Sequence, residues 1–380
     1  MKKQKLLFII VLFIINLCFI HAIEQEGLNP DRSESGPLLI KPRIDIIGAG
    51  VLLGYKGFNF IEGRDTIIWA GAGASWKNTP FYRDFNDNLL TSDNTDINGG
   101  IDLDEDLSFY KININWTVGI TQGILWNSKI KANLIDVSLF YRGRFDYHFE
   151  NDEKDQVIFN QFNYLPDMEK IQQNSFIAGI SLNNAYKADN IIRGFYSEVS
   201  AEWGPSFMNK IADYVRLNFG FKGFIPIIDI ATKTGSNFSI YLGDYFVVDW
   251  ITGDTIPLNI RQSIGGFGNQ RYGLGGTVRA VDRSRYDSSL KIANCFDIRI
   301  NLPIPMPLDI VPGVILYFDS AYYNEMKGAD DGFLLSTGGG ITFNLLERFQ
   351  LTGYTGVYLN GENVNGEKWK PFTFAMSFHF

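Results

Sequence analysis

The length of its alternating segments restricts this chain more than any other feature. In 134–144, Ile135, Val137, Leu139 and Tyr141 share one face, while Asp136, Ser138, Arg142 and Arg144 fall on the other. Side chains spaced by two residues share a face in a strand and not in a helix. The same alternation of apolar with polar or small residues runs through 65–76, 194–203 and 237–246. These segments run to roughly 10 to 14 residues, well beyond the 5 or 6 usual for a soluble sandwich and enough for the 9 to 11 that cross a bilayer at a tilt. No stretch rich in Ala, Glu, Lys and Leu interrupts them, and 38 glycines with 31 phenylalanines point the same way, to an all-β protein. Strands are expected near 43–53, 65–76, 107–126, 134–149, 156–165, 175–186, 193–203, 212–229, 237–250, 290–302, 311–323, 333–344, 349–359 and 369–380. Either 107–126 or the N-terminal region has room for two more, so the range is 14 to 16.

Both ends of the chain fit a membrane barrel. Lys2, Lys3 and Lys5 precede an unbroken apolar run from Leu6 to Ile15, and Ala22 follows at the right distance for cleavage, which reads as a signal peptide over 1–22. Leu17 stands where a lipoprotein signal would carry a small residue before Cys18. Cleavage would leave Cys295 as the sole cysteine, so no internal disulfide is expected in the exported chain. At the other end, Phe372, Phe374, Met376, Phe378 and Phe380 occupy one face, with Thr373, Ala375, Ser377 and His379 between them. A chain stopping on a phenylalanine of that face is similar to the C-terminal signal by which bacterial outer-membrane barrels are recognised for insertion. The expected organisation is therefore a signal peptide, a short periplasmic segment over 23–42, and a transmembrane antiparallel β-barrel over 43–380 in the outer membrane. Outer-membrane lipid and, during insertion, the barrel assembly machinery are the expected partners.

Charge and histidine content exclude other functions. With 34 Lys+Arg against 42 Asp+Glu the chain has no basic stripe for nucleic acid. Beyond the signal peptide the only histidines are His148, expected in a loop, and His379, so neither a Ser-His pair nor a histidine metal site is in view and no enzyme is expected.

A more specific pattern lies between Asp213 and Asp319. The segments 214–227 and 238–244 read as a long hairpin, followed by glycine-rich 264–266 and 274–280, then 294–303 and 313–319. On 290–302, Asp297 and Arg299 share a face opposite Ile298, Ile300 and Leu302, which puts the charged pair in the lumen and the aliphatics against lipid. In this order the segments resemble the BamA/TamA-like surface-antigen superfamily, the outer-membrane assembly factors and two-partner secretion transporters. That family has a Gly-Gly turn, a V-R-G-F/Y tip on a long inward-folded loop, an E-L-R-x-P strand and an F-x-D-x-G strand. The resemblance implies 16 strands, equates Gly275 and Gly276 with the loop glycines and Arg279 with the arginine of the tip, and matches Asp297 and Asp319 to the two acidic strand positions. Ala280 and Val281 replace the glycine and aromatic of the tip, and Ser320-Ala321 the step after the second aspartate. A guanidinium folded into a poorly hydrated lumen needs carboxylate partners, so Arg279 is expected to pin the loop through Asp297 and Asp319, the alternative being a solvated surface loop that carries Arg279, Arg283 and Arg285.

Two functions follow. One is insertion or translocation of protein or lipid at the outer membrane; the other is a passive porin-like channel or structural surface antigen. The stretch between Ala22 and the first expected strand leaves no room for the periplasmic repeats of the family's assembly factors, so recognition would fall to a separate periplasmic partner.

From Asp84 to Asp106 the chain carries eight carboxylates and no basic residue. Asn94, Asp96, Asn98, Asp102 and Glu105 have the spacing of oxygen ligands in a calcium loop, with Gly99 at the turn, and a solvated acidic loop is the simpler alternative. If the loop holds calcium, calorimetry on the folded protein should return a Kd on the order of 0.1 to 1 mM, as in extracellular modules. No heat at several millimolar would leave only the solvated loop.

Overall fold

The computed structural model describes residues 37–45, 48–80, 108–128, 132–148, 170–188, 191–210, 212–231, 237–256, 260, 262–264, 278–282, 285–304, 310–324, 331–345 and 349–378. They form fourteen strands in one continuous antiparallel sheet. In chain order the strands are β1 (Leu38–Asp45), β2 (Gly48–Phe58), β3 (Thr66–Pro80), β4 (Ser108–Asn127), β5 (Ala132–His148), β6 (Lys170–Asn183), the short β7 (Tyr186–Ala188), β8 (Ile191–Gly204), β9 (Asp213–Ala231) and β10 (Asn237–Thr255). They continue with β11 (Gln262–Ile264), β12 (Tyr286–Asp287), β13 (Leu290–Asn301), β14 (Val311–Asn324), β15 (Gly332–Leu345), β16 (Phe349–Tyr358) and β17 (Trp369–Phe378). β7 is an appendage of β8, and β11 pairs with β12 in a separate ribbon. Among the described residues no helix is long and apolar enough to cross a membrane.

Period-two sequence becomes two faces of different chemistry. β13 alternates strictly, with Lys291, Ala293, Cys295, Asp297, Arg299 and Asn301 buried and the residues between them partly exposed. On β5 the buried face carries Asp136, Ser138 and Asp146, while Val137 and Leu139 are exposed. Polar groups inside and aliphatic groups outside invert the arrangement of a water-soluble sheet and match a barrel with a polar lumen in lipid. Pro226 sits in β9 at the register shift opposite Ile240 and Tyr241, where the ladder does not require its missing N–H.

Every expected strand from 175–186 onward has its counterpart, several of them longer than expected. The expected strand at 43–53 is two strands, β1 and β2, paired from Leu38↔Tyr55 to Asp45↔Gly48. The sheet therefore begins at Leu38, within the segment expected to precede the barrel. Because Ala49, Gly50 and Gly54 carry little side-chain information, alternation alone does not reveal the reversal. The stretch 107–126, read as roomy enough for extra strands, is the single strand β4. His148 ends β5 and is not in a loop. The described sheet thus holds fourteen strands and not the 16 implied by the resemblance. The expected strand at 156–165, the signal peptide, Asn94, Asp96, Asn98, Asp102 and Glu105, Gly275, Gly276 and Phe380 lie outside the described residues.

Strand order also fixes two rims. With fourteen antiparallel strands, the start of β1 and the end of β17 lie at one rim, together with the connections 59–65, 128–131, 184–190, 232–236, 302–310 and 346–348. The long connections 81–107, 149–169 and 256–289 leave from the opposite rim, as does 359–368. Pro80 and Ser108, at the facing ends of β3 and β4, therefore lie at the same rim as Thr255 and Leu290, which flank the loop bearing Arg279.

Candidate functional site

The loop joining β10 to β13 turns into the barrel. Its tip, Val278 to Val281, is buried throughout and closes on itself through the Val281 N–H and the Val278 carbonyl at 3.2 Å. Val278, Ala280, Val281 and Tyr286 pack with Val247, Ala293, Ala321, Tyr323, Leu334 and Tyr358, so an apolar surface carries the tip to the wall. Asp319 lies part-way along β14, about 17 Å from the Asn324 end at about 3.3 Å per residue, which measures how deep the tip reaches.

At the tip Arg279 meets both expected carboxylates. Its backbone N–H donates to Asp319 Oδ2 at 2.8 Å, Nε to the same oxygen at 2.9 Å, and Nη2 to Asp319 Oδ1 at 2.6 Å. Nη2 also lies 2.7 Å from Asp297 Oδ1, an ionic contact outside hydrogen-bond alignment. Cys295, opposite Asp319 in the register, and Tyr317, opposite Asp297, set the two carboxylates on adjacent strands. Burial alone would lower the Arg279 pKa, and Asp297 and Asp319 offset that and raise it well above its ordinary value, so the side chain stays a cation. A buried guanidinium with a bidentate carboxylate is the geometry in which such a charge is tolerated.

The structure adds partners that the sequence did not disclose. Arg279 Cζ lies 4.0 Å from the centre of the Tyr317 ring and 5.5 Å from that of Tyr354, the two rings meeting edge to face. Tyr317 lies flat because Gly338 and Gly356 are its successive neighbours across β15 and β16. A Cβ on Gly356 would fall 1.9 Å from the Tyr317 hydroxyl oxygen, so glycine opens the notch. Glycine and tyrosine at these positions are the sequence signal, legible only once the register is known. Asp297 is shared, since Arg299 donates to its Oδ2 through Nη2 at 2.8 Å and also reaches the Tyr245 hydroxyl at 2.6 Å. Among the described residues Asp319 has Arg279 as its single cation. Removing Arg279 therefore strands Asp319 but leaves Asp297 with Arg299, an asymmetry that a matched pair of carboxylates would not give.

A second attachment lies nearer the rim. Asn363, in the connection from β16 to β17, accepts from the Asp282 N–H at 2.8 Å and donates to the Ala280 carbonyl at 3.1 Å. Asp282 in turn accepts from the Val364 N–H at 3.0 Å and from Lys370 Nζ at 2.6 Å. Arg285 donates to the Glu362 carbonyl, and the Tyr286 and Tyr358 hydroxyls meet at 3.2 Å. The inward loop is thus bound to the wall by a buried ion cluster and to the last hairpin by a largely buried clasp whose Asp282–Lys370 pair is partly exposed. The C-terminal residues Phe372, Phe374, Met376 and Phe378 lie on β17, where Phe374 pairs with Gly353, Met376 with Leu351 and Phe378 with Phe349 of β16.

The barrel fold is shared with solved outer-membrane structures. BamA from Haemophilus ducreyi lacking POTRA domains 1-3 matches with a TM-score of 0.53 and 12% identity over 90% of this chain and 64% of that one. CdiB from Acinetobacter baumannii matches with a TM-score of 0.51 and 12% identity over 89% and 52%. CdiB from Escherichia coli gives 0.51 and 9% over 94% and 66%. The chain thus spans about half to two thirds of the length of these structures. No family model and no curated protein matches the chain.

The anchor has a measurable signature. Arg279→Ala should destabilise the folded barrel by about 3 kcal/mol, because a buried carboxylate loses its counter-charge. Asp319→Asn and Asp297→Asn should each destabilise the barrel in urea unfolding from lipid vesicles, and the Arg279/Asp319 double-mutant cycle should be non-additive by more than about 0.5 kcal/mol. Additive effects would mean that the tip is not held there.

Proposed function

We propose that this protein is an outer-membrane barrel that inserts or translocates protein or lipid, with the loop tip at Arg279 as a plug that must leave the lumen for passage. The carrying observation is the way the plug is held. A steady channel gains nothing from burying an arginine within its lumen, where desolvation is expensive. Placed on a loop with two separate attachments, a buried ion cluster and a clasp that includes a partly exposed ion pair, the same arginine makes a docked state that can be left as a unit. Resemblance in fold to BamA and CdiB supports this class of activity. The exposed aliphatic face supports residence in lipid, and the short connections at the rim of both termini suit the periplasmic side. No catalytic step is assigned to the chain.

A cross-link separates this reading from a passive channel. In planar bilayers the unmodified protein should show low resting conductance with rare large openings. An Asp282→Cys/Asn363→Cys disulfide should abolish those openings until it is reduced. Steady porin-like conductance that ignores the disulfide would establish the passive channel instead. A mature chain recovered as a soluble periplasmic species would remove both readings.

A further inference from the structure

The opposite part of the lumen breaks the rule of a polar interior. Along a single register row the inward positions run Leu39, Gly54, Trp69, Gly119, Phe140 and Ile177, one from each of β1 to β6. Leu39, Trp69, Phe140 and Ile177 join Leu52, Ile67 and Tyr196 in one apolar cluster whose members are no more than 2% exposed. On the neighbouring strand the row turns abruptly charged, at Glu202 and then Arg216. Large side chains alternate with glycine over the first strands for a steric reason. Gly119 lets the Trp69 and Phe140 rings approach to 5.2 Å across β4, and a Cβ there would fall 2.3 Å from the Phe140 Cβ. Trp69 still places its one polar group, Nε1 donating to Thr121 Oγ1 at 3.4 Å.

In a water-filled pore these inward side chains would be wet. They are instead as dry as the core of a soluble protein, although the outer face of the same strands also exposes Leu38, Ile40, Val51, Leu53 and Ile68. An apolar lining that excludes water blocks ions without any charged gate, by dewetting. We propose that the Trp69–Phe140 row is a hydrophobic seal that closes the β1-to-β6 side of the lumen independently of the arginine-anchored loop. It extends the proposed function, since a passage that needs both closures released does not leak when the loop alone moves, yet the seal itself does not require the loop to be mobile.

Conductance of four proteins in planar bilayers tests it: the unmodified chain, a deletion of Gly268 to Asp287, the pair Trp69→Ser with Phe140→Ser, and both changes together. Heat-modifiable mobility on unboiled gels confirms that each is folded, with Trp69→Phe as the conservative control that should keep the seal. The seal requires the combined protein to conduct at least about tenfold more than the loop deletion alone. Equal conductance of those two overturns the seal and leaves the plug intact. Full conductance from the serine pair alone instead overturns the plug. Should the serine pair not fold, Ile177→Cys in a Cys295→Ser background reports directly. Resistance to an aqueous maleimide in the loop deletion supports the seal, and modification at the rate of an exposed thiol overturns it.

Discussion

A charged guanidinium in a confined lumen is the constraint around which this barrel is arranged. Desolvating such a group costs several kcal/mol, and one carboxylate with imperfect geometry does not return it. Arg279 meets the cost with Asp319 in bidentate contact, Asp297 alongside, and the faces of Tyr317 and Tyr354. Each of these needs something further from the chain. Asp297 needs Arg299 to share its charge, and Tyr317 needs Gly338 and Gly356 to lie flat. Four strands, β13 to β16, are thereby committed to one side chain on a loop that belongs to none of them.

The two attachments of the loop differ in how they respond to their surroundings. The ion cluster is shielded from water and hence little affected by salt, whereas the Asp282–Lys370 pair is partly exposed and open to screening. Because the clasp is made by the connection into β17, the loop is linked mechanically to the last strand of the sheet. Opposite it, the Trp69–Phe140 row uses shape and dryness in place of charge. The interior is thus closed by two kinds of physics, one directional and one not.

Much of this was legible in the sequence, and the failures have physical causes. Alternation in β5 and β13 is strong because most outward positions are apolar, Val137 and Leu139 on one and Ile292, Phe296, Ile298 and Ile300 on the other, while the inward ones are mostly polar, so the faces could be read. Arg279, Asp297 and Asp319 were placed by resemblance, and the structure brings all three together. Between β1 and β2 small residues hide the period, and alternation, which presumes a polar inside, does not disclose the one apolar row that crosses β1 to β6. The aromatic faces on Arg279 and the clasp at Asn363 join residues tens of positions apart, which pattern along a chain does not reveal.

The claim that the tip is docked inside the barrel is tested most directly by thiol labelling of Ala280→Cys in a Cys295→Ser background, in cells or vesicles with the loop rim facing the reagent. Docking predicts protection of the thiol in the otherwise unmodified barrel and a large rise in labelling rate when Asp319→Asn is added. Labelling at the rate of an exposed thiol in the intact barrel, unchanged by Asp319→Asn, would contradict the account.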